Sequence, residues 1–205
     1  MSELVRVAAL SGYIETMAGL GLDPRPFLKE QGLSADLLAN PEQLIPARAA
    51  IRLLERSASQ GNCLTLGLGM AEGRALANLG ASSLLIAHQP TLRHALTALR
   101  EFRARINSTL VLHIEESGEA AIVRGDFALR RPEPARQSSD LALGVLVRLC
   151  TEVLGRDWSP RLVCFSHEAP PAAELPIFVR LFRCPLQFDS ELNGIVLSRA
   201  DLDRP

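Results

Sequence analysis

Four histidines, four cysteines and a run of arginines are the residues of this chain whose types could do chemistry. His88 closes an apolar stretch just before Pro90, a place suited to a helix-terminal hydrogen bond. His113 alternates onto the polar side of "STLVLHIEE". His167 ends "RLVCFSH", ahead of a proline-rich loop. His94 falls early on a helical stretch, off its apolar stripe. A helix-borne histidine can ligate haem iron, yet the sequence supplies no dense aromatic pocket beside it. A structural or surface role is the expectation for each histidine. Cys63, Cys150, Cys164 and Cys184 form no CxxC pair and lie beside apolar residues, as in "LVRLCTEV". They read as small buried hydrophobes, not as zinc ligands or a disulfide framework. That usage accords with a reducing, cytosolic location.

The common catalytic signatures are missing. The chain has no GxSxG, HExxH or GxxxxGK[ST]. "GLGLD" and "GLGMAEG" are glycine-rich, but neither follows a strand and opens a helix at a nucleotide-binding spacing. Arg93, Arg100, Arg103 and Arg105 lie largely off the apolar stripe of their helix, with Glu101, Glu115 and Glu116 nearby. That arrangement reads as a solvated helix face. No enzyme, cofactor or metal is expected.

The elements that must position these residues follow from periodicity and punctuation. Val7, Leu10, Ile14 and Met17 recur at helical spacing, with Gly19 and Gly21 beyond them. Asp23-Pro24 opens a short helix, Ser34 another, and Pro46 leads into "ARAAIRLLERSASQ". Gly67 and Gly69 weaken a helix and suggest close packing against a neighbouring backbone. "GASSLLIAHQ" reads as a short buried helix, and "LRHALTALREFRARI" as an amphipathic one. The period then changes. "STLVLHIEE" and "AAIVRGDF" around Ser117-Gly118 make a β-hairpin. "DLALGVLVRLCTEVLG" is apolar almost all round and reads as a central helix. "RLVCFSH", a helix near Ala173–Phe182, "LQF" and "GIVL" complete the chain. The expectation is α+β: a helical N-terminal half, then a small, mostly antiparallel sheet backed by a long buried helix.

Composition bounds the function. The chain has 205 residues, 47% hydrophobic and 22% charged, with a net charge of −1. One domain with a real core fits that length. The near-neutral balance argues against direct nucleic-acid binding or a polybasic membrane surface. No apolar run of membrane-spanning length and no signal peptide are present.

Several stretches, in order, resemble one family: "GYIETMAGLGLDPRPFLKEQGL", "LIPARAAIRLLERSA", "HQPTLRHALTALREF", "LGRDWSPRLVCFSHEAP" and "FRCPLQFDSELNGIVLSRADLDRP". Their order and spacing resemble the N-terminal regulatory domain of AraC/XylS-type bacterial transcription regulators, in the arabinose-binding-type subgroup rather than the cupin barrel. The resemblance implies a domain over residues 1–205 that senses a small-molecule effector, mediates dimerisation, or both. It also implies a separate C-terminal helix-turn-helix domain, absent from these 205 residues, through which DNA is reached. The native frame is then expected to continue by roughly 100–150 residues. A cytoplasmic homodimer is expected, without a membrane partner. The alternatives are a ligand-free oligomerisation module and a haem or gas sensor using His94. A cleft between the helix and sheet layers would hold the effector. Tyr13, Arg124, Trp158 and His167 are the candidate effector-binding residues.

Overall fold

The computed structural model describes residues 3–74, 86 and 88–204. Leu4–Arg6 forms β1, which pairs antiparallel with β2, Leu44–Pro46, so that Val5 faces Ile45. On its other edge the Ser108 N–H donates to the Leu4 carbonyl at 2.9 Å. The spacing from Val7 to Met17 predicts one helix, and here the structure differs. Val7–Leu10 is a 3-10 turn, Gly12 turns left-handed at φ 82, and α1 begins only at Tyr13 and runs to Gly19. A left-handed residue ends any right-handed helix, and glycine adopts it without steric cost. The Val7 and Ala8 N–H groups instead donate to Gln43 O at 2.8 Å and Pro41 O at 2.9 Å.

The next helices start where their caps predict. In α2, Pro24–Glu30, the Asp23 carboxylate accepts the Arg25 N–H at 3.0 Å. In α3, Ala35–Leu38, the Ser34 hydroxyl accepts the Leu37 N–H at 3.2 Å. Such caps contribute about 1 kcal/mol each. Next come α4, Ala47–Gln60, and α5, Leu66–Glu72. The helix expected in "GASSLLIAHQ" lies outside the described residues, apart from buried Ile86 and the following His88 and Gln89. Thr91 caps α6, Leu92–Ile106, accepting the His94 N–H.

The second half is the expected sheet and helix. Strands β3 (Leu110–Ser117), β4 (Ala120–Phe127), β5 (Leu162–Cys164), β6 (Leu186–Gln187) and β7 (Gly194–Ser198) lie in the order β3-β4-β7-β5-β6. Every pairing is antiparallel except β5 with β6. Ala121 and Val123 of β4, with Ile195 and Leu197 of β7, are fully buried on the inner face. Against that face runs α7, Arg136–Leu154, whose Leu143, Leu146, Val147, Leu149 and Cys150 are all buried. Each large apolar side chain enclosed this way contributes roughly 1.5–3 kcal/mol. Between β5 and β6 lies α8, Leu175–Phe182. The fold is α+β, as the sequence implies.

Helices α5 and α7 touch backbone to backbone. A Cβ built on Gly67 would stand 2.1 Å from the Gln137 carbonyl oxygen, and one on Gly144 would stand 2.6 Å from the Ala71 Cβ. Gly69 differs. Its nearest neighbour would be Thr16 Cγ2 at 3.7 Å, an ordinary contact. Of the two glycines read as marking close packing, only Gly67 does so.

The stretch after β7 folds back as α9, Arg199–Asp203, which starts with a Ser198/Asp201 capping box and buries Leu202 completely. Arg93 of α6 bridges Asp203 at 2.6 Å and Glu116 on β3. Exposed pairs of this kind contribute at most about 1 kcal/mol, so the enclosed Leu202 is the main anchor.

Candidate functional site

The four residues singled out in the sequence stand in four different places. Tyr13 is fully enclosed, its hydroxyl 2.7 Å from Ser57 Oγ, joining α1 to α4. Burial raises its phenol pKa. Arg124 lies on the outer face of the hairpin, opposite His113, with Asp126 at 3.0 Å and Glu115 at 3.6 Å. Trp158 packs beyond the end of α7, and its carbonyl accepts from Arg183 Nη2 at 2.7 Å. His167 follows β5 and reaches Asp140 on α7. The structure does not bring the four together; Trp158 lines an open polar cleft at the end of α7, and none of them lines the apolar cavity described below. His88, His94 and His113 are exposed.

His167 and Asp140 form a largely enclosed pair. Asp140 is fully enclosed, with His167 Nε2 3.0 Å from its Oδ1. On the other side, His167 Nδ1 lies 2.7 Å from the Glu168 carbonyl. A carbonyl only accepts, so Nδ1 carries a hydrogen. Burial, partly countered by His167 and Arg136, raises the Asp140 pKa. Burial likewise raises that of Glu55, which accepts the Gln137 N–H at 2.7 Å. The aromatic wall around His167 was not visible in the sequence. Phe165, Phe178 and Phe188 have ring centroids 5.3, 6.2 and 5.7 Å from the imidazole.

The linkage has a definite sign. A carboxyl whose folded pKa is raised contributes stability below its unfolded pKa and loses it as pH rises through the folded one. An asparagine amide in place of the carboxyl would donate to Nε2 without taking up a proton. The melting temperature of Asp140→Asn, relative to the native chain, is therefore expected to rise as pH is raised above the ordinary carboxylate range. A pH-independent difference in scanning calorimetry would rule out a raised Asp140 pKa.

An apolar cavity lies elsewhere, between β1 with its 3-10 turn, α4, α7 and the start of the hairpin. Its volume is about 120 Å³. Ala50, Ile51 and Leu54 line it from α4, Leu141, Ala142 and Val145 from α7, and Leu110 and Phe127 from the hairpin. Polar groups are few. Arg6 lines it while pairing with Glu42 at 2.8 Å. Thr109 donates its hydroxyl hydrogen and its N–H to Asn107 Oδ1, at 2.7 and 3.0 Å.

Arg74, just past α5, is the charged group that stands out. It is 8% exposed. Its Nη2 donates to the carbonyls of Ala9 and, at 3.0 Å, Ser11. Its Nε is buried without a hydrogen-bond partner, and no carboxylate pairs with it among the described residues. Burial pushes its pKa down from 12.5 to about 10. Folded and unfolded forms are both protonated at neutral pH, so the cost of the enclosed charge, on the order of 3 kcal/mol, is carried there in full. In the sequence this residue is indistinguishable from any solvated arginine. The one signal was its position between the apolar stretches "LGLGMA" and "ALANLG".

Residues 21–205 match the family described as the arabinose-binding domain of AraC transcription regulator, N-term, and the chain belongs to that family. The family is one of transcription-regulator domains and not a class of enzymes. The chain is similar to the HTH-type transcriptional regulator VirS of two Mycobacterium tuberculosis strains, at 25% identity over 210 residues covering 98% of this chain. It spans 62% of the length of those relatives. Its fold is similar to the crystal structure of transcriptional regulator CdpR from Pseudomonas aeruginosa, with a TM-score of 0.59 and 16% identity, over 86% of this chain and 54% of that one. No helix among the described residues is long and apolar enough to cross a membrane.

Proposed function

We propose that this chain is the effector-sensing domain of an AraC-type regulator, and that the effector occupies the cavity between β1, α4 and α7. The observation that carries this reading is the cavity itself: space of about 120 Å³ with an apolar wall and an enclosed arginine. Natural interiors are close-packed, so a void that also holds a poorly compensated cation is costly to keep without a use. The cavity joins elements from both halves of the fold. An occupant would therefore hold α4 and α7 in a defined relation to β1.

The output belongs to a C-terminal helix-turn-helix domain of the whole regulator, a cytoplasmic homodimer. Tyr13, Arg124, Trp158 and His167 have structural roles in this reading, and the cavity wall replaces them as the effector-binding set. The test is a thermal-shift screen of this chain with organic acids, amino acids, sugars and neutral aromatics. A ligand binding only the folded state raises the melting temperature by mass action. The hit is expected to be lost when Ala142→Leu fills the cavity. Hits that survive that substitution would place sensing elsewhere.

A further inference from the structure

The cavity's wall carries a chemical preference that the family name does not. We propose that it takes a small monocarboxylate with an apolar body about the size of one six-membered ring, its carboxylate meeting the Arg74 guanidinium. This rests on the reading of the cavity as the effector site.

Three observations lead there. The first is Arg74. Arg6, the other buried arginine, has Glu42, and half-buried Arg48 has Glu3 and Glu133, while the half-buried Arg103 and Arg148 reach the carbonyls of Ser108 and Arg74. Among the described residues Arg74 has only carbonyl oxygens, all on one terminal nitrogen, and its buried Nε has no partner there. A guanidinium fork matches a carboxylate in the two-point manner that carbonyls cannot. The second is size. An apolar cavity of about 150 Å³ is known to hold benzene, so 120 Å³ suits a ring or a chain of roughly six carbons. The third is the small share of polar residues in the wall, where Arg6, Arg74, Asn107, Thr109 and Ser138 stand among fourteen apolar ones. Thr109 spends its hydroxyl hydrogen and its N–H on Asn107. A sugar would leave several hydroxyls unpaired against Ile51 and Leu141, each at a cost. The body of the ligand is therefore apolar and its charge single.

The experiment is calorimetric titration of the 205-residue chain with benzoate and hexanoate, beside benzyl alcohol, 1-hexanol and L-arabinose. The acids are expected to bind at least about tenfold more tightly than the size-matched alcohols, and arabinose not to bind. Arg74→Met, folded by circular dichroism, is expected to lower acid affinity at least about tenfold and leave the alcohols unchanged. Arg74→Lys keeps the charge without the fork, should fall between, and serves if the methionine variant does not fold. Alcohols binding as tightly as acids, or an Arg74 variant binding acids like the native chain, would overturn the proposal. So would absence of binding by both acids. In each case a cavity-dependent hit from the broader screen would still support effector sensing, which separates the two failures.

Discussion

Gly67→Ala is expected to destabilise the chain by roughly 3–5 kcal/mol, lowering its melting temperature by about 10 °C. The new methyl group would sit 2.1 Å from the Gln137 carbonyl oxygen and 2.9 Å from its carbonyl carbon. Both are backbone atoms, so no rotamer change relieves the overlap. Either α5 must back away from α7, or α7 must bend. Moving α5 would open the packing of Leu66, Leu68, Met70 and Ala71, all buried. It would also stretch the 2.9 Å hydrogen bond from the Gly67 N–H to Gln137 Oε1. Gly69→Ala is the control. Its methyl group meets only Thr16 Cγ2 at 3.7 Å, and alanine favours a helix by up to about 1 kcal/mol over glycine. It should be neutral or stabilising. Thermal melts of both variants by circular dichroism check the pair, and equal melting temperatures would contradict the close contact.

Phe165→Ala is expected to cost about 3–5 kcal/mol, again lowering the melting temperature by about 10 °C. The Phe165 ring is fully enclosed. Its centroid lies 5.2 Å from Phe178, 5.4 Å from Phe182, 5.1 Å from Phe188 and 5.3 Å from His167. Edge-to-face and offset pairs add roughly 0.5–1.5 kcal/mol each beyond the area they bury. Removing the ring leaves a cavity at the junction of β5, α8 and the loop after it, beneath the imidazole that meets Asp140. Phe165→Leu, which fills more of the space, should lose about half as much. A drop of less than about 2 °C for the alanine variant would show that this cluster adds little to the fold.

Much of the architecture was legible because it rests on local signals. Asp23, Ser34 and Thr91 each cap the helix that follows them, and the central helix announces itself through an almost unbroken apolar run. The hairpin's period-two alternation places Leu110, Leu112 and Ile114 on one face, opposite Phe127, Gly125 and Val123. The failures are non-local. Leu4–Arg6 is a strand only because residues 44–46, some forty positions on, lie beside it. Gly12 looks like any small residue in a helical run until its left-handed conformation is seen.

The site shows the same division. Tyr13, Arg124, Trp158 and His167 were visible as polar or amphipathic groups amid apolar neighbours. Three of them already have side-chain partners: Tyr13 has Ser57, Arg124 has Asp126 and Glu115, and His167 has Asp140. Arg74 gave only the sign of the apolar stretches on either side of it. Its burial depends on Ala9 and Ser11, more than sixty residues earlier. The aromatic cluster was hidden by low abundance. Aromatics make up 4% of the chain, yet four of the seven phenylalanines converge beside His167.

The most direct measurement on effector sensing is a methyl carbon–proton NMR titration of the 205-residue chain with the tightest ligand from the screen. If the cavity is the effector site, the methyl groups of Ile51 and Leu54 on α4 and of Leu141 and Val145 on α7 shift and saturate together, because all four line it. Val179, exposed on the outer side of α8, stays unchanged. Saturable shifts that leave Ile51 and Leu141 unmoved would contradict the assignment.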